Sequence, residues 1–158
     1  RMGARIGVYN RRQVGGEAVA DLEIRSTPLV ATKVKREEVP RLVDELPLVA
    51  LLGAFAHGNT EVSGAEELRA KETDRIETVT EGLRAVGAHV QARKDGFVVR
   101  GVPSRPRGGT VDSVGDHRIA MLGAIAGLVS REGVEIKGAD SVGISFPGFF
   151  ELLASVAQ

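Results

Sequence analysis

Glu61-Val62-Ser63-Gly64-Ala65-Glu66 returns 74 residues later as Glu135-Ile136-Lys137-Gly138-Ala139-Asp140. Two further pairs follow the same order. Met2-Gly3-Ala4-Arg5-Ile6 resembles Val86-Gly87-Ala88-His89-Val90, 84 positions on, and the apolar segment from Asp44 to Ala56 is matched by that from Asp116 to Val129, offset by 72. The offsets drift, so loop lengths differ between copies while the order of elements is kept. The period is too long for a solenoid. It predicts one supersecondary unit used twice, about 1–86 and 87–158.

The first copy can be read outward from that stretch. Leu22-Glu23-Ile24 and Ser26 to Val30 read as short strands, and Asp44 to Ala56 as a buried helix, apolar nearly all round, with Pro47 in its first turn. His57-Gly58-Asn59 stops that helix, and Thr60 to Ser63 reads as a strand. Asp74 and Glu77 stand at capping-box spacing, ahead of Ile76, Val79, Leu83 and Val86 at helical spacing. Gly87 is placed to end that helix in the left-handed conformation. His89 to Arg93 and Phe97 to Arg100 then read as a hairpin about Lys94-Asp95-Gly96. In the second copy the spacing predicts a helix over Asp116–Val129, a strand over Val134–Lys137 and a last helix over Pro147–Val156, striped by Phe149, Leu152, Leu153 and Val156. Val102 to Gly109 is a loop. The class expected is α/β, with helices covering one face of mixed sheets.

Composition narrows the function. Lys+Arg and Asp+Glu balance at 21 each, so no global field favours nucleic acid or a membrane surface, and any anion site must be built locally. The absence of cysteine excludes disulfides and thiolate metal sites. Ile119 to Val129, the longest apolar run, is too short to span a bilayer, and no basic-then-apolar leader opens the chain. The expectation is a soluble cytoplasmic protein. Arg1-Met2-Gly3-Ala4 reads like the end of a helix, which suggests a fragment.

Two polar clusters precede helices: Lys71-Glu72-Thr73-Asp74-Arg75 and Asp116-His117-Arg118. A helix start offers free N–H groups and partial positive charge, and so suits an anion. Arg75 and Arg118 are expected in equivalent settings of the two units, where two guanidinium groups could clamp a phosphate or carboxylate. Glu72 and Asp44 are candidates to move protons beside such a clamp. The same residues also fit a purely structural role. Asp44, Asp74 and Asp116 read equally as helix caps, His117 as a hydrogen-bonding residue and Arg69 as a surface salt-bridge partner.

The combination of motifs carries a family resemblance. Leu68-Arg69-Ala70-Lys71-Glu72-Thr73-Asp74-Arg75 resembles the Leu-Arg-x-Lys-Glu-(Ser/Thr)-Asp-Arg signature of 5-enolpyruvylshikimate-3-phosphate synthases. Asp116-His117-Arg118-Ile119-Ala120-Met121, Ser145-Phe146-Pro147-Gly148-Phe149-Phe150 and Asp44-Glu45-Leu46-Pro47 resemble three further motifs of that family, and all four stand in family order.

The resemblance implies a fold of two similar domains, each built from three βαβαββ units as an inside-out α/β barrel. Two units of the C-terminal domain are expected here, with the N-terminal domain absent. It also implies transfer of the enolpyruvyl group of phosphoenolpyruvate to the 5-hydroxyl of shikimate 3-phosphate in a cleft between the domains, with no metal and no cofactor. By the same resemblance, Asp44 and Lys71 contact shikimate 3-phosphate, and Asp44 is the base toward its 5-hydroxyl. Glu72 handles the proton at the phosphoenolpyruvate methylene, Arg75 and Arg118 hold phosphoenolpyruvate, and His117 supports them. The whole enzyme is expected to be a monomer and the fragment alone inactive.

Two positions depart from the pattern: Ile144 stands where many members carry lysine, and Glu67 where some carry asparagine. The alternatives are the sister enolpyruvyl transferase acting on a UDP-amino sugar and a non-catalytic anion-binding module of the same fold.

Overall fold

The computed structural model describes residues 1–157. Its strands are β1 (Arg5–Val14), β2 (Glu17–Arg25), β3 (Lys33–Val34), β4 (Asn59–Val62), β5 (His89–Arg93), β6 (Gly96–Arg100), β7 (Gly109–Asp112) and β8 (Val134–Lys137). Its helices are α1 (Val39–Leu42), α2 (Leu46–Phe55), α3 (Arg75–Ala85), α4 (His117–Val129), α5 (Val142–Ser145) and α6 (Phe149–Val156). Short 3₁₀ turns cover Glu66–Ala70 and Ala139–Ser141.

The sheets reveal the repeat. β3 and β4 run parallel around α2, and β7 and β8 run parallel around α4, so β3-α2-β4 and β7-α4-β8 are copies of one crossover. The first is completed by α3 and the β5–β6 hairpin, in sheet order β3-β4-β6-β5. Hydrogen bonding thus groups the hairpin with the strands before it. β1 and β2 form a separate antiparallel ribbon. Gly3 precedes β1 as Gly87 precedes β5, and both are left-handed, with φ of 85° and 95°.

Helix-to-sheet packing explains the glycines inside the apolar segments. A Cβ on Gly53 of α2 would lie 2.9 Å from the Thr60 Cβ, and one on Gly123 of α4 would lie 3.3 Å from Val111 and Ile136. Each crossover helix therefore sits closer to its sheet than a larger residue allows. Leu46, Leu51, Ile76, Leu83, Phe97, Ile119 and Leu122 fill the space between the layers. Each such side chain contributes roughly 1.5–3 kcal/mol of burial.

Local chemistry sets the ends of α3. The Asp74 side chain caps it, accepting from the Ile76 and Glu77 amides. The return bond of a capping box is replaced, because Glu77 faces Arg69 at 3.3 Å. At the far end Ala88 N–H donates to Leu83 C=O and Gly87 N–H to Arg84 C=O, the paired bonds of a Schellman turn.

Several expectations change. Asp44 does not open a helix: α2 begins at Leu46, after Glu45, whose side chain does not cap it. Ser26 to Val30 is not a strand; only Val30 bridges His57. The last helix begins at Phe149, after left-handed Gly148, and its stripe is not buried, with Leu152 and Val156 facing solvent.

Candidate active site

Asp116 is the centre from which the site can be built. It caps α4, its Oδ1 accepting the Arg118 amide at 2.9 Å. Its other oxygen, Oδ2, accepts Arg75 Nε at 2.8 Å and the Thr73 hydroxyl at 3.1 Å. One carboxylate thus fixes the start of α4 and also the first residue of α3. Both partners are sealed from water: the side-chain exposure is 0% for Asp116 and 1% for Arg75.

The rest of the Arg75 guanidinium meets two more acids. Nη1 donates to Asp44 Oδ1 at 3.1 Å and Nη2 to Glu72 Oε2. These outer acids are half open, with side-chain exposures of 44% and 51%. Asp44 is shared, since its Oδ2 faces Arg118 Nη2 at 3.2 Å and its carbonyl accepts Arg118 Nη1 at 3.2 Å. The cluster is a chain of alternating charge from a buried end to an open end: Asp116, Arg75, Asp44, Arg118.

Burial opposes the charge on both inner groups, and their bonds overcome it. Desolvation pulls the Arg75 pKa down, but hydrogen bonding and attraction from Asp116, with Glu72 and Asp44, leave it raised. Desolvation pushes the Asp116 pKa up, but Arg75, the Arg118 amide and Thr73 hold it below its usual 3.8.

The expected residues gather here in part. Asp44, Glu72, Arg75 and Arg118 form one network. Lys71 and His117 stand at its borders and make no side-chain hydrogen bond or ion pair among the described residues. Arg75 and Arg118 are not equivalent, however. Arg118 lies in the first turn of the crossover helix α4, which matches α2, whereas Arg75 begins α3, the helix that follows the crossover in the other unit. They converge because both are tied to Asp116 and Asp44, not because a repeat placed them alike. Arg69 is structural, clasping the β5–β6 turn through the Arg93 and Lys94 carbonyls while pairing with Asp74.

The sequence shows Asp116 as part of a polar cluster and as a helix cap, but not its second role as the buried partner of Arg75. A carboxylate has two oxygens, and the partner of the second lies 41 positions away. Thr73, within the signature, was passed over for the same reason.

The family model for EPSP synthase (3-phosphoshikimate 1-carboxyvinyltransferase) matches residues 1–153. The chain is 48% identical over 157 residues to the 3-phosphoshikimate 1-carboxyvinyltransferase of Roseiflexus sp. (strain RS-1), covering 99% of this chain and 36% of that protein. The same enzyme of Sulfurihydrogenibium sp. (strain YO3AOP1) is 46% identical, with the same coverage. The chain thus spans little more than a third of the relatives it matches. Among solved structures it resembles EPSP synthase from Acinetobacter baumannii, with TM-score 0.90 and 38% identity over 99% of this chain and 36% of that one. It also resembles the enolpyruvyl transferase NikO from Streptomyces tendae, with TM-score 0.72 and 25% identity over 99% of this chain and 33% of that one. Both likenesses bear out the expected α/β enolpyruvyl transferase fold, and the chain belongs to the EPSP synthase family.

Proposed function

We propose that this chain is the C-terminal part of an enzyme that transfers the enolpyruvyl group of phosphoenolpyruvate to the 5-hydroxyl of shikimate 3-phosphate, and that it supplies one wall of the site. The observation that carries the reading is the network of Asp44, Glu72, Arg75, Arg118 and Asp116, within a chain similar over nearly its whole length to 3-phosphoshikimate 1-carboxyvinyltransferases.

The burial of the three acids suggests their division of labour. Asp116 is sealed and holds Arg75 by Nε, which fixes the plane of the guanidinium. Asp44 and Glu72 face solvent and hold the Nη groups, the edge that a substrate anion would take. Binding then exchanges half-open carboxylates for the anion of phosphoenolpyruvate, with Arg118 on its other side. A charge-assisted bond to guanidinium strengthens as the site closes and water leaves.

The freed carboxylates become available for proton transfer. Asp44 takes the proton of the 5-hydroxyl as its oxygen bonds to C2 of phosphoenolpyruvate, and Glu72 delivers a proton to the methylene carbon. The bond from C2 to the phosphate oxygen then breaks, the departing phosphate taking the proton held by Asp44, and the new methyl group returns a proton to Glu72, which restores the double bond. Lys71 meets shikimate 3-phosphate, and His117 supports Arg118. The second wall belongs to an N-terminal domain, and the whole enzyme acts as a cytoplasmic monomer.

The test is a graft. Residues 1–158 replace the corresponding C-terminal part of the Roseiflexus enzyme, and phosphate release from phosphoenolpyruvate is measured. Release that depends on shikimate 3-phosphate is expected. Release that depends instead on UDP-N-acetylglucosamine gives the chain to the sister transferase, and release with neither acceptor in an intact, folded graft leaves only an anion-binding module.

A further inference from the structure

Far from Asp116, a cavity of 280 Å³ opens where α2 and α3 end, roofed by the loop from Val102 to Arg107. Its floor is apolar, formed by Leu51, Phe55, Leu83 and Val86, while Arg100, Arg105, Arg107 and Arg131 stand around it and no acidic side chain among the described residues lines it. We propose that it binds a small apolar monoanion, a carboxylate on a ring or short hydrocarbon body.

Arginines at helix ends have an ordinary explanation, because the carbonyl ends of helices are negative. Magnitudes decide how far it reaches. α2, α3 and α4 all terminate near this cavity, and each contributes about half a negative charge. Glu132, which faces Arg107 Nε at 3.3 Å, adds one more. Four guanidinium groups exceed that total by one to two charges. The excess is also unoccupied: Arg100 and Arg131 make no side-chain hydrogen bond or ion pair among the described residues.

The rim is partly ordered in advance. Arg105 donates from Nε to the Val129 carbonyl at 3.1 Å and from Nη2 to the Ser130 carbonyl at 2.6 Å, which fixes the guanidinium and leaves Nη1 outward. A bound anion therefore need not order this side chain. The volume lies just below the usual range of small-molecule sites, about 300–1,000 Å³, and so admits a one- or two-ring body. Inorganic phosphate would satisfy the rim but leave the floor wet, whereas a neutral hydrocarbon would do the reverse. An apolar carboxylate meets both.

Amide chemical shifts of the full 158-residue chain, followed by NMR during titration with 2-naphthoate, test the assignment. Saturable shifts are expected at Gly87, Ala88, Ser104 and Arg107. Neutral 2-naphthamide should bind at least tenfold more weakly, and so should naphthoate to the Arg100→Gln/Arg131→Gln variant. Both arginines are exposed and unpaired, so the variant should fold; if it does not, the naphthamide comparison on the unaltered chain decides. Equal affinity for naphthoate and naphthamide overturns the proposal. So do shifts concentrated on the apolar residues of β1 and β2, or inorganic phosphate saturating the same amides.

Discussion

Arg75 and Asp116, 41 positions apart in the sequence, meet in the interior at 2.8 Å, each with essentially no exposure to water. Neither charge could be there alone. Removing one partner of a buried pair leaves the other uncompensated, at a cost of about 3–5 kcal/mol. Asp116→Asn keeps a capping side chain for α4 but removes the counter-charge. Urea unfolding of Asp116→Asn should show a loss of that order. A loss within about 0.5 kcal/mol, the range of ordinary surface changes, would mean that Asp44 and Glu72 suffice to hold Arg75.

The same pair sets a dependence on acid. The pKa of Asp116 is lowered in the folded chain from 3.8, so the unfolded state takes up its proton first as pH falls. Its contribution is complete above pH 3.8 and drains away as pH drops through the lower folded value. Unfolding free energy measured from pH 6 downward should fall more steeply below pH 3.8 in the unaltered chain than in Asp116→Asn. Parallel curves would assign the acid loss to other carboxylates.

Much of this fold could be read from the sequence, and the failures share a cause. The β5–β6 hairpin, β8, the start of α4 and the left-handed Gly87 are governed by neighbours in sequence, and they lie where residue patterns put them. β1 went unread because its ten residues show no alternation: both faces of the β1–β2 ribbon are largely exposed, and Asn10, with φ of 49°, interrupts the register with a bulge. α6 shows the reverse error, with an apolar stripe that meets no core among the described residues. The candidate site was legible as residues but not as geometry. Motifs named Asp44, Glu72, Arg75 and Arg118, yet the pairing that converges them runs through the second oxygens of Asp116 and Asp44, which no local pattern encodes.

Gly96 offers a test of the sheet that carries the signature turn. A Cβ there would lie 2.0 Å from the Val62 carbonyl oxygen, within backbone that cannot swing aside. Gly96→Ala must push β6 from β4, at the cost of overpacking, about 1–3 kcal/mol. For a chain of this size the melting temperature should fall by about 2–4 °C per kcal/mol, measured by calorimetry. An unchanged melting temperature would mean that the β5–β6 hairpin adjusts freely against β4.

Glu72 is the outer acid with the greatest exposure, and Glu72→Gln keeps a side-chain carbonyl to accept from Arg75 Nη2 while the Asp116–Arg75 bond stands. In the grafted enzyme Glu72→Gln should lower turnover by about 10²–10⁴-fold, the usual worth of a positioned acid or base, while thermal stability stays nearly constant. Turnover within threefold of the unaltered graft would remove Glu72 from proton transfer.

The claim at the centre of this account is that the open end of the charge chain receives the donor anion, and Arg118 tests it best. Its side chain is 30% exposed and among the described residues pairs only with Asp44 and Glu45, both of them partly open, so Arg118→Ala leaves no buried charge behind. The measurement is calorimetric affinity of the grafted enzyme for phosphoenolpyruvate, with no acceptor present so that none is consumed, before and after the substitution. Loss of a charge-assisted bond, roughly 1.5–3 kcal/mol, should weaken donor binding by about one to two decades, with shikimate 3-phosphate affinity changed far less. Unchanged donor affinity in a variant that still folds would contradict the account.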